Sequence, residues 1–112
     1  MIQPKKKKVT SHSSEHILQL DIIAWFRNEY ERFGAGCIIP VPNELARKRK
    51  DVVIKDGCSD LIIVLPTKII FVELKIGYNS QQDNQIEFER LVNNLGYDYH
   101  IIKSLEQFKN IL

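Results

Sequence analysis

The sequence predicts an α/β domain: a small mixed β-sheet flanked by α-helices. Three observations carry this. Two apolar runs, Leu61 to Leu65 and Ile69 to Ile76, are separated only by Pro66-Thr67-Lys68, which reads as a hairpin. Segments with helical spacing and helix punctuation lie on both sides of it. Short β-rich runs and helical segments then alternate, the pattern of a sheet with helices packed on it.

The elements follow in order. Residues 1–10 contain Pro4 and the lysine run Lys5, Lys6, Lys7, Lys8 without periodicity, and are expected to form a flexible basic arm. Residues 11–112 are expected to form a single domain, as the chain length suggests. Ser11 to Ser14 offer helix caps. From Glu15 to about Phe33, the positions Ile17, Leu20, Ala24 and Phe33, with Ile23 and Trp25-Phe26 alongside, predict an amphipathic helix ending at Gly34-Ala35-Gly36. Cys37 to Val41 reads as a short strand, and Pro40 places it at a sheet edge. Asn43 can cap a second, basic helix running through about Lys55, which Gly57 suits as its end.

Leu61 to Leu65 is apolar throughout, as in a strand covered on both faces. In the next strand, period two puts Ile69, Phe71, Glu73 and Lys75 on one face and Ile70, Val72, Leu74 and Ile76 on the other. Gly77-Tyr78-Asn79 breaks the pattern. Ser80 is expected to open a helix reaching about Leu95, with Ile86, Leu91, Val92 and Leu95 as its core stripe and Gly96 at its end. Tyr99 to Ile102 and Leu105 to Leu112 predict a last strand and a last helix.

Composition narrows the function. No apolar stretch approaches the length of a membrane span, and the N-terminus lacks a signal-peptide core, so a cytoplasmic protein is expected. Cys37 and Cys58 lack zinc or CxxC spacing and are expected to be free, buried thiols. The formal charge is only +2, yet Lys5–Lys8 and Arg47, Lys48, Arg49, Lys50 hold half of the 16 Lys and Arg residues without an acid among them. Concentrated cation on an otherwise acidic body points to a polyanionic partner. His12 and His16 lie four apart but lack further zinc ligands at suitable spacing, and His100 reads as structural. Neither a Gly-rich phosphate loop, nor a GxSxG elbow, nor a Cys-His nucleophile pair is present, and no small-molecule cofactor is implied.

The chemically suggestive stretch is Gly57-Cys58-Ser59-Asp60-Leu61 followed, across the hairpin, by Glu73-Leu74-Lys75. Glu73 and Lys75 share a face. Two carboxylates, Asp60 and Glu73, with the carbonyl of Leu74, suit a hard cation such as Mg²⁺ or Mn²⁺. Lys75 beside them could orient a water or stabilise charge on a phosphate. That set fits phosphodiester hydrolysis. A turn aspartate and a solvent-facing Glu–Lys pair would show the same letters.

This order of motifs resembles the PD-(D/E)xK nuclease superfamily, and within it the VRR-NUC branch, the virus-type replication-repair nucleases. The likeness rests on Gly57-x-Ser59-Asp60-Leu61, the hairpin, Val72-Glu73-Leu74-Lys75, and Gln85 in the following helix, together with Glu15 and Pro42-Asn43-Glu44. It spans about Glu15 to Ile102. Ser59 departs from the proline of the superfamily name. The resemblance implies a restriction-endonuclease-like core. It implies Asp60, Glu73 and the Leu74 carbonyl as metal ligands, with Glu15 as a further acid binding metal directly or through water. It implies Lys75 as the catalytic lysine and Gln85 as a positioner of the lysine or the DNA, with Gln81 and Gln82 as rivals for that place. Stand-alone members, often phage-encoded, imply a homodimer that cleaves branched DNA such as four-way (Holliday-type) junctions, with Lys5–Lys8, Asn43 and Arg47–Lys50 on the DNA. The alternative is a DNA-binding module for branched or structured DNA without catalysis.

Overall fold

The computed structural model describes residues 11–42 and 57–112. The basic arm and the segment from Asn43 through Lys55, with Arg47–Lys50, lie outside the described residues. Helix α1 spans Ser11–Glu29, β1 Cys37–Pro40, β2 Leu61–Leu65, β3 Lys68–Leu74, α2 Asp83–Asn94, β4 Asp98–Ile102 and α3 Leu105–Asn110, with a 3-10 turn at Glu31–Phe33. Among the described residues the strands form one mixed sheet in the order β1-β2-β3-β4. β1–β2 and β2–β3 are antiparallel, with Pro40 opposite Leu61 and Leu61 opposite Val72. β3–β4 is parallel, with Phe71 beside Tyr99 and Glu73 beside Ile101. A parallel pair needs a crossover, and α2 supplies it. No described helix is long and apolar enough to cross a membrane.

Strand alternation sorts the hairpin into two faces. Leu61 and Ile63 of β2 and Ile70, Val72 and Leu74 of β3 pack with Leu18, Ile22 and Phe26 of α1 and Phe108 of α3 in the main core. The aromatic rings of Phe26 and Phe108 meet edge to face at 6.2 Å. On the opposite face, Phe71 and Tyr99 lie under Phe88 and Val92 of α2.

Several expectations change. Residues Ser11 to Ser14 lie inside α1 rather than capping it. The buried residues of α1 are Leu18, Ile22, Phe26 and the expected Ile23, whereas Ile17 and Leu20 are each 53% exposed and Phe33 is 68% exposed. This helix carries apolar residues on two sides, and the side whose large ring meets Phe108 is the one buried. α1 stops at Glu29, and Gly34, at φ 67°, closes the 3-10 turn by donating its N–H to the Glu31 carbonyl. β3 ends at Leu74 rather than Ile76, so Lys75 lies just past the strand.

α2 begins at Asp83 instead of Ser80 because Gln82 is extended, at φ −81° and ψ 162°, and the Gln81 amide before it donates to the Tyr99 hydroxyl at 3.3 Å. Its buried residues are Phe88 and Val92; Leu91 and Leu95, one position round the helix, are exposed. α3 ends at Asn110, two residues before the expected Leu112. Neither cysteine forms a disulfide; Cys37 is exposed, at the start of an edge strand, and Cys58 is half-buried, so neither is fully buried as expected.

Candidate active site

The approach to β2 sets the first carboxylate. Ser59 is fully buried, and its hydroxyl donates to the Leu61 carbonyl at 3.1 Å. The Asp60 carbonyl accepts the Val41 N–H at 2.9 Å, which ties its backbone to the end of β1. Because Leu61 faces the main core, Asp60 projects to the α2 side. Its Oδ2 accepts the Leu74 N–H at 2.8 Å, bridging the open end of the hairpin. N–H and C=O of one residue in an extended strand point toward the same neighbour, so the Leu74 carbonyl belongs to the same side.

β3 delivers the second carboxylate. Glu73 is only 2% exposed, and the Asp60 carboxyl acts on that of Glu73. Two groups converge on Glu73 Oε1: the Gln85 amide donates at 2.9 Å, and Lys75 Nζ stands at 3.8 Å. The Lys75 side chain is itself 11% exposed. Oε2 of Glu73 is buried with no hydrogen-bond partner. An unpaired buried acceptor is costly, and a buried charge more so. Desolvation foremost, then the Asp60 charge, pushes the Glu73 carboxyl up to about 9, with Lys75 pulling the other way. Asp60 is also raised, chiefly by burial, against the lowering effect of the Leu74 hydrogen bond. Burial raises the Tyr99 hydroxyl as well, and the Glu73 charge adds to that.

Glu15 stands apart from the pair. Its Oε1 accepts from the Asn79 amide at 3.0 Å, while its negative charge contributes to raising both Asp60 and Glu73. Among the described residues no group of three or more His, Cys, Asp or Glu is poised to hold a metal ion. The donor set is therefore two carboxylates and a backbone carbonyl, and Mg²⁺ is commonly held by one or two carboxylates plus waters and substrate phosphate. The orphaned Glu73 Oε2 and two carboxyls raised by burial fit a cation between Asp60 and Glu73.

Of the three glutamines, Gln85 is the one whose amide donates to Glu73. Sequence reasoning named Gly57 without its packing role and missed two further supports. Gly57 has φ 75°, and a Cβ there would come within 2.3 Å of the Asn84 carbonyl oxygen, so only glycine lets the first turn of α2 close against the approach to β2. Asn79 holds Glu15, and Tyr99 holds Gln81. The glycine was legible as a turn signal; the two side-chain pairs join distant segments and leave no local pattern. Asn43 and the basic residues Lys5–Lys8 and Arg47–Lys50 lie outside the described residues.

No family model matches the sequence, and no curated protein does. A solved structure described as a VRR_NUC domain protein matches with a TM-score of 0.64 at 21% identity, over 87% of this chain and 83% of its own. The chain thus has the fold of a VRR-NUC domain, a small mixed four-stranded sheet with flanking helices.

Proposed function

We propose that this protein is a metal-dependent deoxyribonuclease, an endonuclease that hydrolyses phosphodiester bonds in branched or structured DNA. The observation that carries the reading is Glu73: a carboxylate buried beside Asp60, with one oxygen held by Gln85 and Lys75 and the other left without a partner. The fold shared with a VRR_NUC domain protein supports it. Asp60, Glu73 and the Leu74 carbonyl would hold Mg²⁺ or Mn²⁺, with Glu15 contributing through water. Such a cation supplies an activated water and counter-charge for a crowded phosphate. Lys75 contributes a cation of the chain's own beside Glu73, placed to stabilise charge developing on phosphate. Gln85 keeps the Glu73 carboxylate in one orientation.

The basic arm, Asn43 and Arg47–Lys50 would grip phosphates, which position DNA without reading its sequence. A homodimer suits a two-fold junction that needs two related cuts. A phage-encoded protein working in the bacterial cytoplasm fits this reading.

The test is cleavage of a labelled four-way junction with Mg²⁺ or Mn²⁺, beside flap and plain duplex DNA. Wild type should cut the junction, and Glu73→Ala and Asp60→Asn should each be slower by about 10²-fold or more. If wild type cuts no faster than these variants, the protein is not a nuclease of this kind. Tight, metal-independent junction binding without cleavage would instead mark a non-catalytic DNA-binding module.

A further inference from the structure

Gln85 uses both ends of one amide. Its Oε1 accepts the backbone N–H of Gln82 at 2.9 Å, and its Nε2 donates to Glu73 Oε1 at 2.9 Å. A primary amide has one accepting end and one donating end. Turned over, the NH₂ would face an N–H and the carbonyl would face a carboxylate, so both bonds would be lost. The end that faces Glu73 is therefore dictated by the N–H of Gln82.

That N–H is itself held in place. Gln82 has φ −81° and ψ 162° at the start of α2, and its carbonyl accepts the N–H groups of Gln85 and Ile86, each at 3.0 Å. The residue before it, Gln81, is tied to the Tyr99 hydroxyl at 3.3 Å, and Gly57 lies against the first turn of the helix. The Gln82 side chain is exposed.

We propose that the backbone N–H of Gln82 is a positioning element of the site. It sets the polarity of the Gln85 amide, so that Glu73 Oε1 is occupied by the Gln85 NH₂ and by Lys75, and Oε2 is kept for a ligand. This rests on the reading that Asp60 and Glu73 take a divalent cation. The positioning device is a main-chain group, which side-chain mutagenesis at position 82 leaves in place.

The test compares Gln82→Ala, which keeps the N–H, with Gln82→Pro, which deletes it; the backbone at φ −81° is within the range proline adopts. Gln85→Leu removes the amide and assigns its NMR signal. Three quantities are read on the full chain: the ¹H–¹⁵N shifts of the Gln85 NH₂, the affinity for Mn²⁺ by calorimetry, and kcat against KM on the junction. Relative to the alanine variant, the proline variant should move the NH₂ signals toward those of a free glutamine. It should weaken Mn²⁺ binding roughly 10-fold, as loss of an outer-shell partner does, and lower kcat with KM held. Adding Gln85→Leu to the proline variant should cost nothing more.

A proline variant equal to the alanine variant in NH₂ shift and Mn²⁺ affinity overturns the inference. So does an alanine variant as damaged as the proline one. If wild type neither binds Mn²⁺ nor cuts DNA, the nuclease reading fails, while the NH₂ shifts still decide the inference. Should the proline variant not fold, hydrogen exchange decides: the Gln82 amide should be protected in wild type and unprotected in Gln85→Leu, and equal protection in both overturns the proposal.

Discussion

The two faces of the sheet are built from the same strands and differ in what they leave unfinished. On the α1 face, Leu61, Ile63, Ile70, Val72 and Leu74 meet Leu18, Ile22, Phe26 and Phe108, all apolar and buried. On the α2 face, the apolar contact of Phe71, Phe88, Val92 and Tyr99 gives way at one end to Asp60, Glu73, Lys75 and Gln85. One face stores stability. The other gives some of it up to hold two carboxyls out of water, one of them with an unpartnered oxygen. Alternation in a strand makes this possible, because successive residues serve opposite faces. Val72 and Leu74 close the core while Glu73 between them opens the site.

The comparison can be broken most forcefully at the core. Phe108→Ala should cost about 3–5 kcal/mol in urea unfolding, as a fully buried ring does, with the cleavage rate of the folded fraction retained. If cleavage is lost in step with a small change in stability, the two faces are not separable.

An effect of comparable size, spread over pH, concerns Glu73 without metal. Its carboxyl is raised from an ordinary 4.5 to about 9, so between those values the folded state keeps a proton that the unfolded state has released. Unfolding then releases a proton, and stability falls as pH rises, with a limiting slope of about 1.4 kcal/mol per pH unit for one proton. Asp60, raised in the same sense, adds to the fall. The Tm of the metal-free protein should therefore drop from pH 5 to pH 9, and Glu73→Gln should flatten the profile and raise Tm at the alkaline end. A Glu73→Gln variant that is destabilised across the whole range would place Glu73 with the structural face instead.

A third effect sharpens the boundary between the faces. Gly57→Ala forces a left-handed residue to carry a Cβ, worth roughly 1–2 kcal/mol, and drives that atom into the backbone at Asn84. Its loss of cleavage should be out of proportion to its loss of stability, since the displaced turn carries Gln85. Equal losses in both measurements would mean that α2 is held by its apolar contacts alone.

The hairpin was the most legible part of the sequence. Pro66-Thr67 between two apolar runs set β2 to its observed limits, and period two assigned every residue from Ile69 to Leu74 to its observed face. The helices were less legible. α1 has apolar residues on opposite sides, so periodicity alone could not decide between Leu20 and Ile22. Only packing against Phe108, far along the chain, does so. The start of α2 was misplaced because Ser80 looks like a cap. Gln81 is instead tied to Tyr99, and the extended Gln82 precedes the helix with its N–H bound by the Gln85 side chain. The proximity of Asp60 and Glu73 followed from hairpin spacing, whereas the placement of Glu15 on Asn79 rather than on the carboxylates required the tertiary structure.

The bonds that assemble the site are short-range along the chain. Asp60 reaches Leu74 across 14 residues and Gln85 reaches Glu73 across 12, whereas Asn79 reaches Glu15 across 64. The entropy of closing a loop grows with the logarithm of its length, so the Glu15 contact costs roughly 1.3 kcal/mol more to close than the Asp60 bridge. The carboxylate pair and its glutamine thus form a nearly self-contained cassette of hairpin, turn and helix. Glu15 is the member that the rest of the chain must bring in.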